Sequence, residues 1–592
     1  MIPEFYSENQ SLLQSQSHHL KKRFNLVSTI RLILGVGIFI LLYLFAATQY
    51  ANYGVGALAC AAIFIVFVNW HQRLGTKKRR VEILSQVNND EIAFLERKSS
   101  PFNGGAEFVN PAHAYSYDLD IFGPNSLFQH INRTGTYMGS KRLADALATA
   151  LPTQEIPEMQ TSVQELVPPV MWRQELLMMS RYYPDSKAVY EYLKQWSTRK
   201  SHLSIWICYT SILISLILLA LIFLTIAHRS PVYINVIILL FLSNLGLLGL
   251  NIKSINQELL DLDHVDKIIL QYADILEHLE STTFRSPRLI SLFKKLTDDP
   301  APCSKKLRVL SKHLQKLDSV NNGVVVAILS GLAGYHLHVF KKVCNWRDAH
   351  GAEIETWLEV IGEFEMLSSL ANMAYNNPDY CHPHILEGEG MIQMEQMGHP
   401  LIDPTERICN DLAFESHKFV VLTGSNMSGK STFLRSLGVN MVLANCGSVV
   451  CAQQAEITPM PVLVSMRIAD SLNDHESYFF AEVNRLKYIM DQLEDKQSLV
   501  LLDEILRGTN SNDKRKGTLE VIKKLVSMNA IGIIATHDLA VCKIAESHPD
   551  YLTNMCFEAD ISGDNLTFDY KLREGICKNQ SAVFLMKRTG VI

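Results

Sequence analysis

The stretch Val420–Gly438, VVLTGSNMSGKSTFLRSLG, sets two glycines, a lysine and a hydroxyl at the spacing GxxxxGK[ST]. That set suits a polyphosphate. Glycine lets consecutive backbone N–H groups curl round phosphate oxygens, lysine reaches the β and γ oxygens, and the hydroxyl ligates magnesium. Gly424, Ser425, Asn426, Met427, Ser428, Gly429, Lys430, Ser431 and Thr432 are therefore the expected nucleotide cradle, with Ser431 directed to the metal. A second apolar run, Ser498–Leu502, ends in Asp503-Glu504, and a third, Ile531–Ala535, ends in Thr536-His537-Asp538. Asp503 is suited to hold the magnesium, Glu504 to polarise an attacking water, and His537 to sense the γ-phosphate through a hydrogen bond. The expected cofactors are ATP or GTP with Mg2+, the expected activity hydrolysis of that nucleotide, and the expected catalytic residues Glu504, His537 and Lys430.

These residues need strands that end together. The runs FVVLTG, SLVLLDE and AIGIIAT alternate with helical stretches, the pattern of a parallel α/β sheet. Ahead of them, Ile252–Ala374 repeats spaced Leu and Ile among charged residues, as in LLDLDHVDKIILQYADILEHL, which predicts a long amphipathic helical region. Val81–Lys200 is mixed and mostly helical in pattern. Cys381-His382-Pro383-His384 holds metal-ligating residue types but lacks a second ligand cluster. The 11 cysteines include no CxxC pair, which predicts reduced thiols in a cytosolic domain. A net charge of −5 supplies no global basic field for nucleic acid, leaving only a local basic face such as Lys305, Lys306, Arg308 and Lys312.

The front of the chain is apolar in blocks. Leu32–Ala47 and Gly54–Val68 reach spanning length with their flanks, while Leu203–Ala227 and Val232–Leu250 carry no charged residue. A bilayer core takes about 20 apolar residues as helix, so the four runs predict two membrane hairpins, with spans at about 29–48, 52–70, 203–227 and 232–250. Lys21, Lys22 and Arg23 precede the first run and Lys77, Lys78, Arg79 and Arg80 follow the second, against none in Thr48–Tyr53. Lys194, Arg199, Lys200 and Lys253 flank the other pair, whose link holds only Arg229. The positive-inside bias puts both links outside and the rest in the cytoplasm, the pattern of a multi-pass protein of a bacterial inner membrane.

TGSNMSGKSTFLRSL, RIADSLNDHESYFFAEVNRL, LLDEILRGTNSNDKRKG and ATHDL together resemble the ATPase domain of the MutS mismatch-repair family. The resemblance extends to MGHPLID, ICNDL and YKLREG, and to DIFGPNSLFQHINRTGTYMGSKRLADAL (Asp120–Leu147), similar to the start of that family's lever region. It implies an ABC-type fold whose ATP sites are completed across a homodimer, with Ser477 reaching the partner's γ-phosphate and Arg507–Asp513 crossing the interface. It also implies DNA as a partner, in mismatch repair. Where the family carries an aromatic residue to stack adenine, this chain has Arg407 and Ile408. No segment resembles the family's mismatch-reading domain, and Phe5-Tyr6-Ser7-Glu8 is expected on a tail before the membrane. The third and fourth apolar runs fall where lever helices would carry a DNA clamp.

The expected organisation is multi-domain: α-helical transmembrane hairpins, a helical lever core and a C-terminal α/β ABC-type P-loop ATPase domain. Residues 1–80 form the tail and first hairpin, 81–202 the first part of the core, and 203–250 the second hairpin. Residues 251–385 complete the lever core and 386–592 form the ATPase. The rival reading is an ATP-driven membrane machine acting on a protein or envelope partner without DNA.

Overall fold

The computed structural model describes residues 4–578 except 99, 201–202, 230, 260–264, 298–299, 389, 415–417, 468–477 and 563–564. The chain is mostly helical, with apolar helices towards its N-terminus and two β-sheets in its C-terminal part. Among the described residues, four helices are long and apolar enough to cross a membrane.

The first two helices, Glu4–Thr48 and Ala51–Leu95, are 45 residues each and turn back on one another at Gln49, whose φ is +59°. The sequence reading ended this hairpin near residue 80 and left its start as a tail. Both points need correction, because the helices run unbroken beyond the apolar stretch at each end. Tyr6, Asn9, Gln10 and Leu13 recur at helical spacing, and this face is buried. Tyr6 is fully buried and its hydroxyl donates to Asn376 Oδ1 at 3.0 Å. Asn9 donates to Gln174 Oε1 at 3.0 Å, and the buried Asn88 side chain donates to Gln10 Oε1 at 3.4 Å. Phe5–Glu8 is thus part of a helix docked in the core. Beside Tyr6, near the end of the second helix, Glu91 forms a buried ion pair with Arg133, both side chains under 5% exposed. Asn372 and Asn376 also donate to that carboxylate, at 3.1 and 3.2 Å.

The second apolar hairpin is Ile205–His228 and Ile234–Leu259. It is followed by the helices Val265–Glu280, Cys303–Asp318, Tyr335–His350 and Ile354–Asn376. The last is almost wholly buried, and its Glu365 carboxylate accepts from the Gly135 backbone N–H at 2.8 Å and from the Thr136 hydroxyl. Thr136 in turn caps the helix Tyr137–Ala148. The segment before that cap ties the helical core to the C-terminal sheets. Asp118 Oδ1 accepts from the backbone N–H groups of Met466 and Arg467 at 2.8 Å each. Leu119 packs so closely that a Cβ on Gly438 would lie 2.8 Å from it.

The larger sheet has six strands: β1 (Phe419–Gly424), β2 (Val462–Ser465), β3 (Leu499–Asp503), β4 (Ile531–Thr536), β5 (Leu552–Ser562) and β6 (Asn565–Glu574). Their order is β6-β5-β1-β4-β3-β2. All neighbours are parallel except β5 and β6. β1, β3 and β4 are buried along their whole length, as strands covered on both faces must be. The smaller, four-stranded sheet begins with His384–Ile385 and also takes in Ile392–Met397, Asn410–Phe414 and Gln454–Ile457.

Candidate functional site

Because β1, β3 and β4 are parallel neighbours in register, their C-terminal ends come out side by side: Leu502 pairs with Ile534, Asp503 with Ala535, and Thr423 with Thr536. Chemistry-bearing residues from three distant stretches therefore converge on one edge. The chain leaves β1 through Gly424, Met427 and Gly429, all at positive φ (159°, 69° and 100°), and enters the helix Lys430–Asn445. At Gly424 a Cβ would lie 2.6 Å from Ser428 Oγ and 3.0 Å from the Phe557 carbonyl, so glycine is required there.

The Lys430 ammonium lies inside the loop, donating to the Gly424 and Ser425 carbonyls at 2.8 and 2.9 Å. Burial lowers its pKa, against the attraction of Glu504 and Asp503. A polyanion entering the loop would restore the charged form. Ser431 Oγ donates to Asp503 Oδ2 at 2.5 Å. Glu504, at φ +47°, is 3.4 Å from His537 Nδ1 and 3.8 Å from Arg507 Nε. The Arg507 N–H donates to Glu482 Oε2 at 2.9 Å, which ties the Asp503-Glu504 turn to the helix Tyr478–Asp495.

A cavity of about 440 Å³ opens over this cluster, lined by Asn426–Ser431, Asp503, Glu504, His399, Ile408 and Tyr570 among others. Its volume suits a nucleotide. The Ser425 and Ser428 hydroxyls are buried without a hydrogen-bond partner among the described residues, an unmet demand that phosphate oxygens would satisfy. The Ser431 and Asp503 oxygens are hard donors of the kind magnesium takes. The residues present fit ATP and Mg2+.

Two expected contacts change. Arg407 does not line the cavity. Its guanidinium turns inward, donating to the Ile402 carbonyl at 2.8 Å and to Cys451 Sγ at 3.1 Å, with its centre 5.5 Å from the Tyr380 ring. A half-buried cation so engaged takes acceptors and a ring face over the cavity, so the adenine contact expected of Arg407 is withdrawn. Ile408 does face the cavity. The aromatic surface comes instead from Tyr570 on β6, at φ +53°, beside Gly429 and stacked on Phe568 at 6.1 Å between ring centroids. Its signal in the sequence was the aromatic opening YKLREG, which carries no spacing relative to the phosphate loop. Ser477 lies outside the described residues. The basic lever face is also reduced: Lys306 is 5% exposed and paired with Glu353 at 2.9 Å, and Arg308 pairs with Asp274 at 2.7 Å.

Residues 420–591 match the family model described as MutS domain V. The C-terminal part of this chain is MutS-like. It is 30% identical over 258 residues to the DNA mismatch repair protein MutS of Thermotoga petrophila, covering 43% of this chain and 32% of that one. It is 31% identical over 260 residues to the MutS of Natronomonas pharaonis (43% and 29%), and 28% identical over 234 residues to the human MutS protein homolog 4 (38% and 24%). The chain thus matches about a third or less of the length of these curated relatives. Within the MutS match, domain V is an ATPase-type domain; it supplies the phosphate-loop side of the cavity, and His399 and Ile408, ahead of the matched residues, supply part of the rest.

Proposed function

We propose that this MutS-like chain is a membrane-anchored ATPase that uses nucleotide binding and hydrolysis to switch its helical levers. The observation that carries the reading is the convergence of Lys430, Ser431, Asp503 and Glu504 on one cavity, with His537 Nδ1 held 3.4 Å from the Glu504 carboxylate. Lys430 and the loop N–H groups bind and orient the phosphates, and Ser431 and Asp503 would hold Mg2+, which supplies charge neutralisation at the β and γ oxygens. Glu504 orients and deprotonates the attacking water, while His537, hydrogen-bonding distance from Glu504, faces the γ-phosphate. ATP-dependent pairing of two heads in a homodimer, with Ser477 acting in trans and Arg507–Asp513 at the interface, follows the family pattern. Four helices long and apolar enough to cross a membrane support the membrane reading, and the Lys and Arg flanks support a cytoplasmic side for the ATPase and levers.

The output closest to the family is binding of mismatched or branched DNA in repair, since relatives are named DNA mismatch repair proteins. A second reading, force applied to a protein or envelope partner without DNA, is favoured by the internal pairing of Lys306 and Arg308, which leaves less of the lever face for phosphates. Binding of matched, mismatched and branched duplexes across a salt series separates the two. DNA as the working partner predicts structure-selective binding that persists at physiological salt. Its absence, beside intact ATP hydrolysis, favours the second reading, and residual contacts through Lys305 and Lys312 alone would fade steeply with salt and ignore mismatches.

A further inference from the structure

Between the lever helices Cys303–Asp318 and Tyr335–His350 runs Gly323–Ala333, GVVVAILSGLA, without a single charge. It winds as a helical turn, a π-helical stretch Val326–Ser330, and a second turn, and it meets the following helix at an angle of 86°. Gly334, at φ +57°, makes that bend, and the Asn322 side chain caps the entry by accepting from the N–H groups of Val324 and Val325.

This segment packs on the second apolar hairpin, and does so well inside it. A Cβ on Gly331 would lie 2.3 Å from the Phe241 ring and one on Gly334 1.9 Å from Ser211 Oγ. The fully buried Asn244 amide donates to the Gly331 carbonyl at 3.3 Å and to Ser215 Oγ at 3.1 Å, while Ser211 Oγ donates to Asn244 Oδ1 at 3.0 Å. Ser211 is about 9 Å beyond Ile205 along its helix, and Asn244 about 9 Å from the end of its apolar run at Leu250, at 1.5 Å per residue. The contact therefore falls some 9 Å inside the cytoplasmic ends of both spans. Val324, Ile328 and Leu329 of this segment are 69%, 53% and 40% exposed, as apolar residues of the hairpin are (Leu216 62%, Leu239 64%).

We propose that Gly323–Ala333 is a re-entrant membrane element, with Val324, Ile328 and Leu329 bathed in acyl chains of the cytoplasmic leaflet. Eleven residues of helix reach about 16 Å, half of a hydrocarbon core of about 30 Å, so the segment cannot cross. Its flanks agree, since Lys312 and Lys316 on one side and Lys341 and Lys342 on the other keep entry and exit on one face. Its polar groups find partners, as depth in lipid demands: the Gly331 carbonyl accepts from Asn244, itself held by Ser211 and Ser215, and Ser330 Oγ lies 2.5 Å from His336 Nδ1. The inference rests on the membrane reading of the hairpin. It adds that the tip of the lever pair is itself lodged in lipid.

The test uses the full chain in nanodiscs, with Cys60, Cys381 and Cys409 replaced by serine and an environment-sensitive fluorophore on single cysteines at Val324, Ile328, Leu216 or Lys312. Phosphatidylcholine with a nitroxide near the carbonyl end of its acyl chain is the quencher. Val324→Cys and Ile328→Cys, both at exposed positions, are expected to be quenched about as strongly as Leu216→Cys, and Lys312→Cys hardly at all. If Leu216→Cys is quenched while both segment positions behave like Lys312→Cys, the re-entrant element is overturned and the hairpin stands. If Leu216→Cys is not quenched either, the membrane reading falls and takes the inference with it.

Discussion

Ser431 Oγ and Asp503 Oδ2 lie 2.5 Å apart, one at the start of the helix after the phosphate loop and the other at the end of β3. Residues separated by 72 positions are in direct contact because two strands flanking β4 are parallel and in register. Glu504 follows at once, turned by its positive φ towards His537. This geometry assigns separable roles to the loop and the strand end.

Lys430→Ala is expected to abolish nucleotide binding, because the ammonium is the cation inside the loop. Glu504→Gln should bind nucleotide normally and hydrolyse it about 10²-fold more slowly or worse if the carboxylate is the general base. Equilibrium binding and single-turnover hydrolysis, run side by side, check this; near-normal turnover in Glu504→Gln removes it from the catalytic role.

Tyr570 and Arg407 should part company. Loss of a stacked ring costs a base site about 1–3 kcal/mol, so Tyr570→Ala should weaken ATP binding about tenfold while Tyr570→Phe stays near the parent. Arg407→Ala should leave affinity within a few-fold and lower thermal stability, since its guanidinium serves Ile402, Cys451 and Tyr380. Titration of a fluorescent ATP analogue, with melting curves, tells them apart.

The Glu91–Arg133 pair holds the first hairpin to the core while almost wholly buried. Glu91→Ala strands a buried guanidinium and should destabilise by about 3–5 kcal/mol. The double variant Glu91→Leu/Arg133→Met should recover a large part of that loss. Protease resistance of the Ala51–Leu95 helix relative to the sheets reports the docking itself.

Acid should loosen the same region. Burial, with nearby arginines, pushes His399 down to about 4, and burial with Arg133 pushes His130 down to about 3. Each is neutral in the fold and binds its proton near pH 6.5 when unfolded. Their contribution is complete above about pH 6.5 and is lost as the pH falls from there through about 4, at up to about 1.4 kcal/mol per pH unit for each. Denaturation midpoints at pH 7.5 and 5.0 should therefore differ, and less so in His399→Gln. An unchanged difference would exclude His399 as a contributor.

Cysteines at Gln49 or Tyr50 in otherwise intact cells should react with an impermeant thiol reagent, and cysteines at Lys77 or Lys78 only after permeabilisation. Ser230, the corresponding site in the second hairpin, lies outside the described residues but should label like Gln49. Labelling of Lys77 from outside would break the two-hairpin topology.

What the sequence made legible follows from how local each signal is. Gly424–Ser431 and Asp503-Glu504 carry their chemistry in consecutive residues, so type and spacing suffice. Tyr570 and Arg407 are decided by which way a side chain turns, which in turn depends on Gly398, Cys451 and Tyr380, far apart in the chain. The helix before the first span was missed because Tyr6, Asn9 and Gln10 are polar. They are buried by long-range hydrogen bonds to Gln174, Asn88 and Asn376, and no hydropathy pattern reports such bonds. Gly323–Ala333 was absorbed into the lever because its apolar stretch is too short to read as a span.

The unbroken length of the Glu4–Thr48 helix has a spatial consequence. Forty-five residues measure about 67 Å; on the proposed membrane reading about 30 Å of that would lie in lipid, leaving a rigid rise of about 33 Å to the buried Tyr6. An ATPase head so anchored would roam a thin shell beside the bilayer, and two heads that pair would meet by lateral diffusion. Their encounter would be governed by copies per area of membrane rather than per volume of cell, so expression level and lipid area, more than cytoplasmic dilution, would set how often a site is completed.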